Sequence, residues 1–232
     1  MKLALLDALE AARKAKRQVC LVRLLDQGGT EALVVDGRQT EGAPLPEDAL
    51  EAARAALRED RSKTAETSAG KAFLQVFNPP LRMIIVGAVH ITQSLAPMAE
   101  LAGYEVTVVD PRRAFATDQR FPNTRVTQDW PDEALEQLAP DRRTAVIALV
   151  HDPKLDDPAL DVALKSDAFY IAALGSKKNA AARQERLQAL GHDPATTARI
   201  RGPAGLPIGA VSPAEIAISV LAECTQALRQ GS

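Results

Sequence analysis

The chain is poor in cysteine, poor in aromatic residues and has no excess of positive charge. Its two cysteines, Cys20 and Cys224, lie far apart and neither stands in metal-ligand spacing, so no disulfide framework and no cysteine-based metal site is expected. A reducing, cytoplasmic compartment is the simplest home for such a sequence. A formal net charge of -2 argues against nucleic acid as the main partner, because phosphate backbones demand a basic excess. No run of about 18 uninterrupted apolar residues occurs, so no membrane insertion is expected. Asp7 breaks the opening apolar stretch too early for a secretory signal. There is no internal repeat and no low-complexity tract. What the chain has in quantity is alanine and leucine, the composition of a helix-rich α/β protein. Its 232 residues suit one large domain or two small ones.

The organising stretch is residues 83–110. Met83 to Val86 is wholly apolar, as expected of a strand buried on both faces. Gly87 follows at once, and apolar residues then recur at Ile91, Leu95, Met98 and Ala102 with helical spacing. Gly103 provides a left-handed stop. Glu105 to Val109 is a second strand, and it ends in Asp110. Strand, glycine turn, helix, strand and an acid about 20 residues after the glycine form the layout of a nucleotide-binding βαβ unit. Upstream, residues 3–15 read as an amphipathic helix, and 18–25 with 31–35 as a hairpin closed by Asp36-Gly37. A helix follows over 45–59, then a polar loop or edge strand over 61–69, and a strand over 71–77. Asn78-Pro79-Pro80 cannot continue a sheet and marks a boundary. Two domains are therefore expected, a small α+β domain over 1–80 and a parallel sheet with helices on both faces over 81–232. Within the second, strands are expected at 125–127, 144–150 and 168–174, with helices at 133–138, 158–165 and 178–190. A last helix is capped by Ser212, Pro213 and Glu215.

In such sheets ligands bind at the carboxyl ends of the strands. Gly87 and His90 follow the first strand, Asp110 and Arg112 the second, His151 and Asp152 the fourth, and Gly175, Ser176, Lys177 and Lys178 the fifth. All would project from one edge. Of a Gly-x-Gly-x-x-Gly fingerprint only Gly87 is present, and Val89 places a branched side chain where a diphosphate would lie. His90 is either a ligand contact or an idle histidine at a helix start. Asp110 is either a ribose ligand or a turn-capping acid, and Arg112 either an anion fork or a solvated charge. His151 could serve acid–base chemistry, with Asp156 and Asp157 nearby. Residues 175–179 combine small residues, a hydroxyl, positive charge and a helix start, the ingredients of an anion site. The loop 201–211, with Gly202 and Gly205, is long enough to suggest function. Glu215 reads as a capping residue first and a ligand contact second.

At these residues the chain resembles the XdhC/CoxI family, the accessory proteins of molybdenum hydroxylases. The matching pieces are Val86 to His90, Val106 to Arg112, Phe115 with Arg120 to Pro122, and His151-Asp152. Tyr170 to Lys178, Arg199 to Leu206, and Ser212 to Ala217 with Ala222-Glu223 complete them, collinear over 83–224. The resemblance implies a C-terminal Rossmann-like domain that binds the molybdenum cofactor, with or without a nucleotide tail. It further implies a chaperone without turnover of its own, which holds the cofactor during sulfuration by a cysteine desulfurase and then passes it to an apo-hydroxylase. A homodimer is expected. Two features depart from the family pattern. Val89 replaces a usual glycine, and residues 1–80 lack the usual Gly-Ser-x-Pro-Arg and Gly-Gly-Cys motifs. The competing readings are an NAD(P)-dependent oxidoreductase using Asp110 and His151, and an interaction module with a vestigial nucleotide fold.

Overall fold

The computed structural model describes residues 3–230. The chain divides at Pro79/Pro80 into two compact units, consistent with a Pro-Pro pair that can join neither sheet. The first unit is a five-stranded antiparallel sheet in the order β3-β2-β1-β5-β4. Its strands are β1 (Val19–Leu24), β2 (Thr30–Val35), β3 (Arg38–Gly42), β4 (Lys63–Thr67) and β5 (Gly70–Phe77). Side chains alternate across a strand. Val19 and Leu21 therefore join Leu33 and Val35 under α1 (Leu3–Lys14), while Cys20, Val22 and Leu24 join Val34 and Leu74 under α2 (Glu47–Glu59). A helix on each face explains why β1 is nearly all apolar rather than alternating.

The sequence pattern misses β3. Asp36-Gly37 does not end a hairpin but turns the chain into this third strand, Arg-Gln-Thr-Glu-Gly, whose largely exposed edge carries no apolar alternation to read. The polar stretch expected as loop or edge strand is the edge strand β4.

The second unit holds a six-stranded parallel sheet in the order β11-β10-β9-β6-β7-β8. The strands are β6 (Leu81–Val86), β7 (Tyr104–Val109), β8 (Arg125–Thr127), β9 (Thr144–Ala148), β10 (Tyr170–Ala173) and β11 (Ile200–Arg201). The chain leaves β6 in one direction and returns to its other side at β9, which makes the β6/β9 boundary the topological switch point of a Rossmann sheet. Met83, Ile85, Val108 and Ile147 face α3 (His90–Leu101) and α8 (Pro213–Gln230). Ile84, Val86, Val146 and Ile171 face α4 (Pro131–Leu138), α5 (Pro153–Leu164) and α6 (Lys177–Ala189). Of the described residues, none forms a helix long and apolar enough to cross a membrane.

Helix α5 starts five residues before the expected Pro158. The Asp152 carboxylate accepts the Lys154 N–H at 3.0 Å and Pro153 occupies the first helical position. Pro158 then sits inside the helix, where its missing N–H forfeits a bond. The earlier start matters because it puts Asp156 and Asp157 on the first turns, facing inward. Leu160 lies one turn on, fully buried against the sheet. Leu160→Ala is expected to cost about 3 kcal/mol of unfolding free energy, read by denaturant titration.

Candidate functional site

Two groups of side chains gather at the carboxyl edge of the parallel sheet. The first surrounds the turn after β6. Gly87 has φ +112°, and a Cβ there would lie 2.8 Å from Val150 Cγ2, so only glycine lets β6 and β9 approach this closely. The next residue, Ala88, has both peptide groups taken by side chains: its N–H donates to Asp110 Oδ2 at 2.7 Å and its C=O accepts from Arg120 at 2.6 Å. Asp110 is fully buried. Besides Ala88 its carboxylate accepts the Arg112 N–H (2.9 Å) and a two-pronged Arg112 guanidinium, at 2.9 and 2.7 Å. Burial pushes this carboxyl up, yet the Arg112 and backbone donors outweigh it and hold the group below the usual carboxylate range. Asp110 therefore acts as the turn-capping acid, and all four of its hydrogen bonds are internal. Arg112 stacks on Phe115 with 4.8 Å between guanidinium and ring centre, and Arg120 packs against the same ring at 5.7 Å. Val89 turns toward the apolar core of this face, while His90 stands exposed in the first turn of α3.

The second group spans the ends of β9, β10 and β11. His151 adopts a left-handed backbone, φ +65°, and its Nε2 lies 3.2 Å from Asn179 Nδ2. Ser176 caps α6 by accepting the Asn179 N–H at 3.2 Å. Gly175 at φ +144° brings that turn against His151, whose Cε1 would lie 3.7 Å from a Cβ. Lys177 and Lys178 stand exposed on the first turn of α6. A hollow of about 220 Å³ is lined by His151, Asp156, Asp157, Asn179, Arg183 and Arg186. Gly202 reaches this group, since a Cβ on it would sit 3.6 Å from Arg183 Nη1. The two groups sense each other: the hydrogen bonds of Asp110 chiefly raise Arg112, and the charges of Asp152 and Asp156 add to the effect.

Two nominated residues serve the framework. Gly205 packs on α8, its N–H donating to Glu223 Oε2 at 2.9 Å. Glu215 Oε2 accepts the N–H groups of Val211 and Ser212, both at 2.8 Å, which completes the cap of α8. Arg183 and Arg186 are the residues that sequence reasoning overlooks, while Asp157, read from the sequence only as an acid near His151, is tied to both by the hollow. Arg183 and Asp157 are buried, and Arg186 holds Asp157 in a fork at 2.5 and 3.1 Å. For the arginines the one signal in the sequence is position, since Arg183 shares a helix face with Ala180 and Leu187. Both thiols are buried, and burial pushes each up to about 12, so neither is a thiolate at neutral pH.

For a phosphorylated organic cofactor the donors fit. The Ser176 turn offers a helix start, and Arg183 Nε and Nη1 lie buried without a hydrogen-bond partner. The chain is similar to known proteins. Residues 83–224 match the XdhC Rossmann domain. A probable xanthine dehydrogenase subunit from Bacillus subtilis is 32% identical over 155 residues, 66% of this chain and 45% of that one. The molybdenum cofactor insertion chaperone PaoD of Escherichia coli is 32% identical over 147 residues, 63% of this chain and 40% of its own length. The chain thus spans less than half the length of these curated relatives. A crystal structure titled as a xanthine dehydrogenase from Bacillus halodurans superposes on the whole chain and 66% of its own, with a TM-score of 0.68 at 24% identity, a likeness of fold. With the family model covering most of the chain and the Rossmann sheet in place, this protein belongs to the XdhC family.

Proposed function

We propose that this chain is an accessory protein that holds the molybdenum cofactor and supports its sulfuration and its insertion into an apo molybdenum hydroxylase of the xanthine dehydrogenase type. The observation that carries the reading is the Gly175–Lys178 turn set over the buried Arg183, in a domain whose relatives include a named cofactor insertion chaperone. The cofactor is a pterin with a dithiolene and a phosphate or dinucleotide tail. Ser176, Lys177, Lys178 and Arg183 would hold that anionic tail through charge-assisted hydrogen bonds. His151 and Asn179 would line the ring side of the hollow. Sulfur chemistry needs a thiolate, and the sealed Cys20 and Cys224 supply none. The proposal therefore assigns sulfur delivery to a separate cysteine desulfurase, and the chain's own part to binding, shielding and release, as a homodimer in the cytoplasm.

Purified protein is expected to bind molybdopterin stoichiometrically. Replacing Lys177 and Lys178 together by alanine is expected to weaken binding about tenfold, the equivalent of ~1.4 kcal/mol. Unchanged affinity in that double variant would remove the proposed tail site. In the same assay NADH and NADPH are expected to be silent at micromolar concentration, because Asp110 has no hydrogen-bonding capacity left for a ribose. Micromolar binding of either would favour the oxidoreductase reading.

A further inference from the structure

We propose that the hollow between the His151 turn and α6 is a proton-linked oxyanion subsite, in which Arg183 supplies a buried positive charge and Asp156 takes up a proton as the anion arrives. The subsite rests on the proposed function only for the source of its oxyanion, the cofactor's phosphate.

The starting observation is an imbalance among buried charges. Arg183 is 4% exposed and Asp156 is 2% exposed. Arg183 donates one hydrogen bond, from Nη2 to the Leu174 C=O at 2.7 Å, while Nε and Nη1 have no partner. Asp156 Oδ2 accepts the His151 N–H at 2.9 Å, and Oδ1 has no partner. Buried polar atoms left this way are costly, and in native proteins they mark a missing water, ion or ligand. Their position says which. A Cβ on Gly175 would lie 3.6 Å from Arg183 Nη2, and one on Gly202 would lie 3.6 Å from Nη1. The guanidinium thus sits directly under both turns, and the turn residues nearest it, Gly175 and Gly202, are glycines. Water occupies about 30 Å³ per molecule in the liquid, so a hollow of about 220 Å³ has room for a tetrahedral oxyanion.

One charge opposes such a guest. Asp157 is neutralised by the Arg186 fork. Among the described residues Asp156 has no ion pair of its own. The groups that act on it are the Val150 and His151 N–H groups from the preceding turn, Asp157 on its own helix, Arg183 and Arg186 from α6, and Arg112 from the end of β7, and the His151 imidazole lines the same hollow. Burial raises Asp156 to about 6, against the pull of Arg183 and the His151 and Val150 N–H groups, with Asp157 adding to the rise. A proton from solvent on Asp156 removes the competing charge, leaves Arg183 to the oxyanion and turns an acceptor into a donor.

Sulfate tests this cleanly because it stays doubly charged across the neutral range. Calorimetric titration of the full chain between about pH 5.5 and 8 is expected to show affinity rising about tenfold per unit as pH falls toward 6, with about one proton taken up per sulfate, then levelling as that uptake falls away. Asp156→Asn is expected to bind at the wild-type low-pH level with no pH dependence. The hollow is also lined by the imidazole of His151. His151→Asn, which tolerates the left-handed backbone, is therefore expected to keep the slope. Arg183→Gln is expected to lose at least tenfold, with circular dichroism as its folding control. No sulfate binding, a flat wild-type profile, or a slope that survives in Asp156→Asn each overturns the subsite. Oxidised molybdopterin pterin, with its phosphate and after phosphatase, separates the two claims. Displacement of sulfate by the phosphorylated form alone supports both. Pterin binding with a flat sulfate profile sinks the subsite and spares the proposed function. Proton-linked sulfate binding with displacement by neither pterin keeps the subsite, as one for free oxyanion, and sinks the cofactor reading.

Discussion

Asp110→Ala is expected to lower unfolding free energy by about 3 kcal/mol, the low end of what breaking a buried ion pair costs. The low end applies because the Arg112 side chain is 37% exposed, so water recovers part of its charge once the partner is gone. The Ala88 N–H recovers nothing by that route, since Ala88 is fully buried. It would be left without an acceptor beside a cavity where the carboxylate had been. The loss should depend on pH in a defined direction. Asp110 is held below its usual range in the fold. A carboxylate of this kind stabilises the native state above its unfolded value near ~3.9 and stops doing so as pH falls through its lower folded value. Wild type and variant should therefore differ fully at neutral pH and converge below about pH 4. Chemical denaturation at a series of pH values measures this, and a gap that persists undiminished in acid would show that Asp110 acts through packing and not through its charge.

What could be read from the chain follows a physical division. The rim was legible because Gly87, Asp110, His151 and Gly175 each directly follow an apolar strand, and the topology of a parallel sheet places such residues on one edge without knowledge of a single contact. The buried charges beneath the rim were not legible in the same way. Asp156 shares its helix face with Leu160 and Ala163, and Arg183 with Leu187. A charge falling on an apolar stripe is the trace such residues leave; for Asp156 the expected start of α5 at Pro158 hides it, and for Arg183, inside the expected helix, the stripe is only Ala180 and Leu187. β3 left no trace, because it pairs through its backbone and its side chains mostly face solvent. Loop composition brings out Gly205 as a candidate ligand contact, and the capping pattern brings out Glu215 as a cap first and a contact second. Composition does not distinguish a glycine that approaches a ligand from one that approaches a helix.

That distinction makes Gly205→Ala the second large effect. At φ +97° the residue is in a region that side chains rarely adopt, and a Cβ would lie 2.3 Å from Ser219 Oγ and 3.1 Å from the Ser219 backbone carbon. Ser219 is 3% exposed on α8, with its hydroxyl donating to the Ile216 C=O at 2.8 Å. The loop is held to the same helix turn through the Leu206 N–H to the Ser219 C=O at 3.2 Å, and through Gly205 to Glu223, which also accepts the Tyr170 hydroxyl at 2.6 Å. Relief by rotation of one side chain is therefore not open to the variant; loop and helix must separate. Left-handed strain and overpacking each cost about 1–3 kcal/mol, so a loss of roughly 3–4 kcal/mol is expected. Ser219→Ala removes the atom at the shortest distance while leaving the backbone strain. Combined with Gly205→Ala it should restore about half of the loss, a coupling of ~1–2 kcal/mol that a double-mutant cycle isolates. If Gly205→Ala instead left stability intact and weakened only pterin binding, the loop would be a ligand contact and its packing on α8 incidental.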